Sequence, residues 1–157
     1  WWSKIEIFRP GVITGPTLYL DLDSVITGSI DEYGWQGFIN LSYDFAMLEN
    51  FNEPEMVGSG VMWFREKAPT VVYERFIQDP QRIMDHYQNV KLGSYRGDQA
   101  FIWDTLDRKI DKIASPAIRS YKRHCRNGLP EGTSIVAFHG RPRPTEINPR
   151  WLLEHWV

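Results

Sequence analysis

Cysteine occurs once in 157 residues, at Cys125, so the chain cannot close a disulfide of its own. Such a chain is compatible with a reducing compartment. A charge excess is also missing: 18 Lys and Arg stand against 20 Asp and Glu, a net charge of −2. That leaves no electrostatic case for binding nucleic acid or an anionic membrane. No apolar run approaches the ~20 residues of a membrane-spanning helix, and no signal peptide is visible. Internal repeats, low-complexity tracts and linkers are lacking too. The expectation is a cytoplasmic protein with no transmembrane segment and no nucleic-acid partner.

What is there is enough for a packed core. Hydrophobic residues make up 42% and charged residues 24%, a balance that argues against disorder. At this length a single domain over 1–157 is expected. Aromatics reach 14%, with seven Trp. Such rings stack on sugars or bases, or simply fill a core. The chain opens on Trp1-Trp2 without a Met, as a piece of a longer chain would.

Trp2, Ile5 and Phe8 lie at helical spacing, and Pro10-Gly11 ends that segment. A strand is expected over 17–23 and a second over 37–41. The stretch 43–55 has no clean period and ends in Asn52-Glu53-Pro54, which reads as a loop or partial helix. A third strand is expected over 56–64, with Gly58 and Gly60 inside it. Glycine within a strand is costly unless something must approach the backbone closely. Thr70 is placed to cap a helix carrying Val72, Tyr73, Phe76 and Ile77. Asp79-Pro80 starts another, with Ile83 and Tyr87 inward. A third begins near Gly97-Asp98 and carries Phe101, Ile102 and Leu106. A weak, polar strand over 120–124, a loop at 127–130 and a last strand over 134–139 follow. Trp151, Leu152 and Trp156 suggest a short amphipathic helix. Strands alternating with helices predict an α/β domain, in which ligands bind beyond the carboxyl ends of the strands.

Two features stand at such ends. Leu18-Tyr19-Leu20-Asp21-Leu22-Asp23 closes a strand with two carboxylates two residues apart. On a strand those side chains share a face. Like charges held so close are unfavourable unless a cation lies between them, and hard divalent ions take such oxygen ligands. The plainer reading is turn chemistry, which Asp-x-Asp-Ser also suits. His139 ends the last strand, followed by Gly140-Arg141-Pro142-Arg143. Imidazole joins oxygen donors on Mn²⁺, glycine admits close backbone approach, and arginine suits phosphate oxygens.

These stretches together resemble a family. WSKIEIF followed by LYLDLDSVITGSIDE resembles the DxD region of glycogenin-like, family-8 retaining glycosyltransferases. Gly58-Ser59-Gly60-Val61-Met62, Gly97-Asp98-Gln99 and IVAFHGRPRP (Ile135 to Pro144) are similar to three further blocks of that family, in its order. The resemblance implies a GT-A-like fold, a mixed sheet flanked by helices. It implies transfer of a sugar from a nucleotide-diphosphate donor, a UDP-sugar first among them, to a glycan, lipid or protein acceptor, with retention. By the same resemblance Asp21, Asp23 and His139 would hold Mn²⁺ (or Mg²⁺). Gly58, Ser59, Gly60, Gly140, Arg141 and Arg143 would bind the donor. Asp98 would hold the donor sugar and Gln99 would face its anomeric carbon. The chain departs from the pattern at Gly58 (for Asn), Ala100 (for the second Asp of D-Q-D) and Thr145 (for Trp), and its His-to-Gly spacing is shorter. Only twenty residues precede Asp21, so the fold is expected to lack most of its N-terminal, base-holding half.

Two other readings compete. Asp21-Leu22-Asp23-Ser24-Val25 also fits the first motif of haloacid-dehalogenase-type phosphatases, with Asp21 as nucleophile and Lys91, Asp98 and Asp104 mimicking later motifs. The Trp content suggests a non-enzymatic carbohydrate-binding domain, which would need neither Asp21 nor Asp23.

Overall fold

Phe45-Ala46-Met47-Leu48 is a run of apolar side chains with no alternation. Such a run suits a strand covered on both faces rather than a loop. In the structure, a computed structural model that describes residues 2–30, 43–90, 93 and 95–156, it is an inner strand. The chain forms two compact units. Unit one takes Trp1–Tyr19 and Tyr43–Ile113; unit two takes Leu20–Ser42 and Ala114–Val157. The chain is mixed α/β, as expected from its sequence, and builds two mixed sheets with flanking helices, one sheet per unit.

Unit one opens with a 3₁₀ helix, Trp2–Phe8. Side chains three apart eclipse in that geometry, which buries Ile5 and Phe8 together. The strands are β1 (Thr17–Leu20), β3 (Phe45–Glu49), β4 (Val57–Phe64) and β5 (Asp111–Ile113), in the order β1-β4-β3-β5; β2 belongs to unit two. Strand β3 runs antiparallel to β4 and parallel to β5. Met47 faces Met62, but the next residue, Leu48, faces Gly58. Ser59, Gly60 and Val61 therefore bulge from β4 without partners on β3, a device that re-aims side chains. The helices are α1 (Val71–Phe76), α2 (Pro80–Asn89) and α3 (Gly97–Thr105). Asp79 caps α2 as its sequence predicts, accepting from Arg82 N at 3.1 Å. Thr70 stands at the head of α1 without a side-chain cap bond. The core gathers Ile5, Phe8, Met47, Val57, Met62, Phe64, Val72, Phe101 and Ile102. Trp2 stacks on Phe76 with centroids 5.5 Å apart.

Unit two is built on β2 (Ser24–Ile26), β6 (Ile118–Ser120) and β7 (Ile135–Ala137), in the order β2-β7-β6. Ser24 faces Ala137 in the antiparallel β2–β7 pair, and Ser120 faces Ala137 in the parallel β6–β7 pair. The polar strand expected over 120–124 is a π-helical turn, Tyr121–Cys125. Ser120 N-caps it, accepting from Arg123 N at 3.3 Å, which local serine chemistry favours over continued strand. Helix α4 (Arg150–His155) lays Trp151 and Leu152 onto a core of Val25, Tyr121, Cys125, Val136 and Phe138. Tyr121 stacks on Phe138 at 4.6 Å. The strand expected over 37–41 lies outside the described residues. No helix among the described residues is long and apolar enough to cross a membrane.

Candidate functional site

The acidic pair is not on a strand. Strand β1 ends at Leu20, and 21–24 form a turn closed by Ser24 N donating to the Asp21 carbonyl at 2.9 Å. Leu22 stands at its tip, 96% exposed. The shared face expected for Asp21 and Asp23 is thereby replaced by turn geometry, which Asp-x-Asp-Ser favours. Phe138 N donates to the Asp23 carbonyl at 3.2 Å, extending the β2–β7 ladder by one step. Asp23 thus sits beside the end of β7, one residue from His139. Arg143 Nη1 donates to Asp23 Oδ2 at 2.7 Å. So Asp23 and Arg143, 120 positions apart, meet beside the end of β7, while the His139 ring turns to Ser120 on the other side of that strand.

His139 is half-buried, with Nε2 2.7 Å from Ser120 Oγ. Burial pushes its pKa down, helped by the charges of Lys122 and Arg123, so the imidazole is held neutral at neutral pH, the form that ligates metals. Ser120 is fully buried and donates its N–H to His124 Nδ1 at 3.0 Å. It stands between two histidines. Gly140 has φ +76°, a conformation glycine takes without strain. A methyl group added there would meet Lys122 Nζ at 3.3 Å. The two arginines expected at a diphosphate are occupied by the chain's own carboxylates. Arg141 donates to Glu146, and Arg143 holds Asp23 through its guanidinium and Glu146 through its backbone N–H at 2.9 Å.

Two carboxylates and a neutral imidazole are the right donors for Mn²⁺. As they stand, no three His, Cys, Asp or Glu side chains among the described residues are grouped to hold an ion. Asp23 would have to exchange Arg143 for the ion, an easy exchange for a pair with side chains 51% and 18% exposed.

Unit one holds a second cluster. The β4 bulge turns Ser59 inward, where its Oγ donates to Asp98 Oδ2 at 2.6 Å. Lys4 Nζ donates to Ser59 O at 3.1 Å and Ser59 Oγ at 2.9 Å. It lies 3.2 Å from Asp98 Oδ2, the two side chains 8% and 11% exposed. The Tyr19 ring lies 5.7 Å from the same ammonium. Asp98 is in the first turn of α3, and Arg96 occupies the cap position. Gln99 follows it, half-buried. Gly58 has room: a methyl group there would touch only Leu48 O, at 3.8 Å. Sequence reasoning gave Lys4 no role of its own; its signal was a lone lysine among Trp2, Ile5 and Phe8.

A third polar group, also missed, ties α2 to α3. Asp104 accepts from Tyr87 Oη at 3.1 Å, Arg108 Nε at 3.0 Å and Tyr95 Oη. Burial raises the Asp104 pKa, but bonds from Tyr95, Arg108 and Tyr87 outweigh it and hold the carboxyl below its usual range. Arg108 also lies over the Tyr95 and Trp103 rings. Lys91, its partner in the phosphatase reading, lies outside the described residues. No protein-family model and no curated protein matches the chain.

Proposed function

We propose that the chain is the catalytic portion of a metal-dependent, GT-A-like glycosyltransferase. It moves a sugar from a nucleotide-diphosphate donor, a UDP-sugar first, to a glycan, lipid or protein acceptor with retention. The observation that supports this best is the Arg143–Asp23 pair beside the end of β7, where the backbone of Phe138, the residue before His139, bonds the Asp23 carbonyl. A carboxylate held by a guanidinium that a ligand can displace, at the strand end that runs into His139, suits a metal–diphosphate pair better than a solvated turn.

In this reading Asp21, Asp23 and His139 hold Mn²⁺ or Mg²⁺, which when bound neutralises charge developing on the leaving diphosphate. Arg143 leaves Asp23 and donates to a phosphate oxygen. Gly140 lets the backbone near the phosphates, and Arg141 adds a second guanidinium. In unit one, taken by itself, Asp98 is the residue the resemblance assigns to a sugar hydroxyl. Lys4 and Ser59 orient its carboxylate, Gly58, Ser59 and Gly60 are the lining the resemblance assigns to a sugar, and Gln99 is the residue it sets toward an anomeric carbon. Attack on the face of the departing group gives retention without a nucleophilic carboxylate.

A nucleoside diphosphate with Mn²⁺ then stabilises the folded state, by about 2.7 kcal/mol at a hundredfold excess over Kd, and so raises Tm. Asp23→Ala removes that rise. A rise unchanged in Asp23→Ala, or a phosphoryl group trapped on Asp21, overturns the reading.

A further inference from the structure

Around His139 the charges do not cancel. Asp23 is matched by Arg143 and Glu146 by Arg141. Lys122, on the π-helical turn, is partly buried and pairs with no carboxylate among the described residues. Its ammonium lies over Gly140, in space that any side chain at 140 would contest. A partly buried ammonium with no carboxylate beside it among the described residues, set over a bare glycine, is placed to take an anion. π-helical turns often sit at functional sites, and this one is locked in place. Ser120 caps it, and Ser120 is itself held by His124 and His139.

We propose that Lys122 is a phosphate-binding residue: its ammonium takes the oxygens of a diphosphate lying over Gly140. The inference rests on the transferase reading for the identity of that diphosphate, but not for the anion site itself. It also assigns the arginines differently from the sequence pattern. Arg141 and Arg143 start from carboxylate partners that a ligand must displace, whereas Lys122 reaches its anion with no pair to break. Lysine serves as a point charge for phosphate, so charge and position decide, not fork geometry.

The test is calorimetric titration of the wild type, Lys122→Met and Lys122→Arg with pyrophosphate alone, and with a panel of nucleoside diphosphates plus Mn²⁺. Methionine keeps the apolar stem, and Lys122→Arg keeps the charge, so a folding defect separates from a binding one. We expect Lys122→Met to weaken pyrophosphate by about tenfold or more, as loss of a charged hydrogen bond does, and Lys122→Arg to recover most of it. Equal binding by wild type and Lys122→Met overturns the assignment while leaving metal-dependent nucleotide binding, and so the transferase reading, intact. Lys122-dependent pyrophosphate binding with no Mn²⁺-dependent nucleotide binding supports the anion site and removes the transferase reading. No binding of any probe by the wild type overturns both.

Discussion

Each unit carries an ion pair at its candidate site, and the two differ in kind. Lys4–Asp98 in unit one is enclosed, its side chains 8% and 11% exposed, with Ser59 bonded to both. Arg143–Asp23 in unit two is open, at 51% and 18%. Enclosure makes a pair costly to break, because the surviving charge is left without water or partner. Exposure makes a pair cheap to exchange, because water and salt already compete for it. The first is suited to fix a carboxylate in one place, the second to release a guanidinium to a ligand.

The sharpest way to break that contrast is to remove one cation from each pair. Lys4→Met leaves Asp98 buried with Ser59 alone, and should cost about 3–5 kcal/mol of stability. Arg143→Met should cost about 1 kcal/mol or less. Urea denaturation of the two variants measures both. Similar losses for the two would show that enclosure does not distinguish the pairs.

The units also answer pH from opposite sides. In unit one burial raises the pKa of Tyr87 and Tyr95, joined by the charge and hydrogen bonding of Asp104. Their neutral forms favour the fold. That stability is whole below the ordinary value of 10.0 and is lost as pH climbs above it. In unit two burial lowers the pKa of His124, with Arg119 and Arg123 adding to the shift. Ser120 N–H on its Nδ1 needs the unprotonated ring. This stability is present above the ordinary 6.5 and is lost as pH falls below it. Tm against pH should therefore drop on both sides. Tyr87→Phe should soften the alkaline limb and leave the loss around 6.5 as it was, its only acid effect coming lower, where Asp104 protonates; His124→Gln should soften the loss around 6.5 and leave the alkaline limb. Crossed effects, or none, would sink the assignment.

The contrast also marks what was legible in the sequence. Local signals served well: Asp79-Pro80 started α2, the spacing of Ile5 and Phe8 gave a helical turn, and the apolar run before His139 gave β7. Residues of the open cluster were visible because they sit in short runs at strand ends. The enclosed pair was not. Lys4 meets Ser59 across 55 residues, and only tertiary folding tells a buried lysine from a surface one. Strand β3 was missed because a strand covered on both faces has no period to read. The π-helical turn was missed because Ser120 redirects a polar stretch through its side chain, which alternation cannot reveal. The turn at Asp21–Ser24 was in view as turn chemistry, but the apolar residues before it favoured reading the strand onward.

The smallest expected change in stability separates structure from use most cleanly. Gly58 lies in β4 where a methyl group would make only an ordinary contact with Leu48 O. The fold itself therefore does not require glycine there. Replacing glycine by alanine where the backbone allows it limits the freedom of the unfolded chain, and stabilises by about 0.4–1 kcal/mol. Gly58→Ala should thus be neutral to slightly stabilising in urea. If the bulged strand lines a sugar, the same methyl group stands in the ligand's way, and affinity for the sugar nucleotide should fall while affinity for the free nucleoside diphosphate stays as it was. A variant that loses neither would release Gly58 from the donor site and leave Ser59, through Asp98, as that strand's contribution.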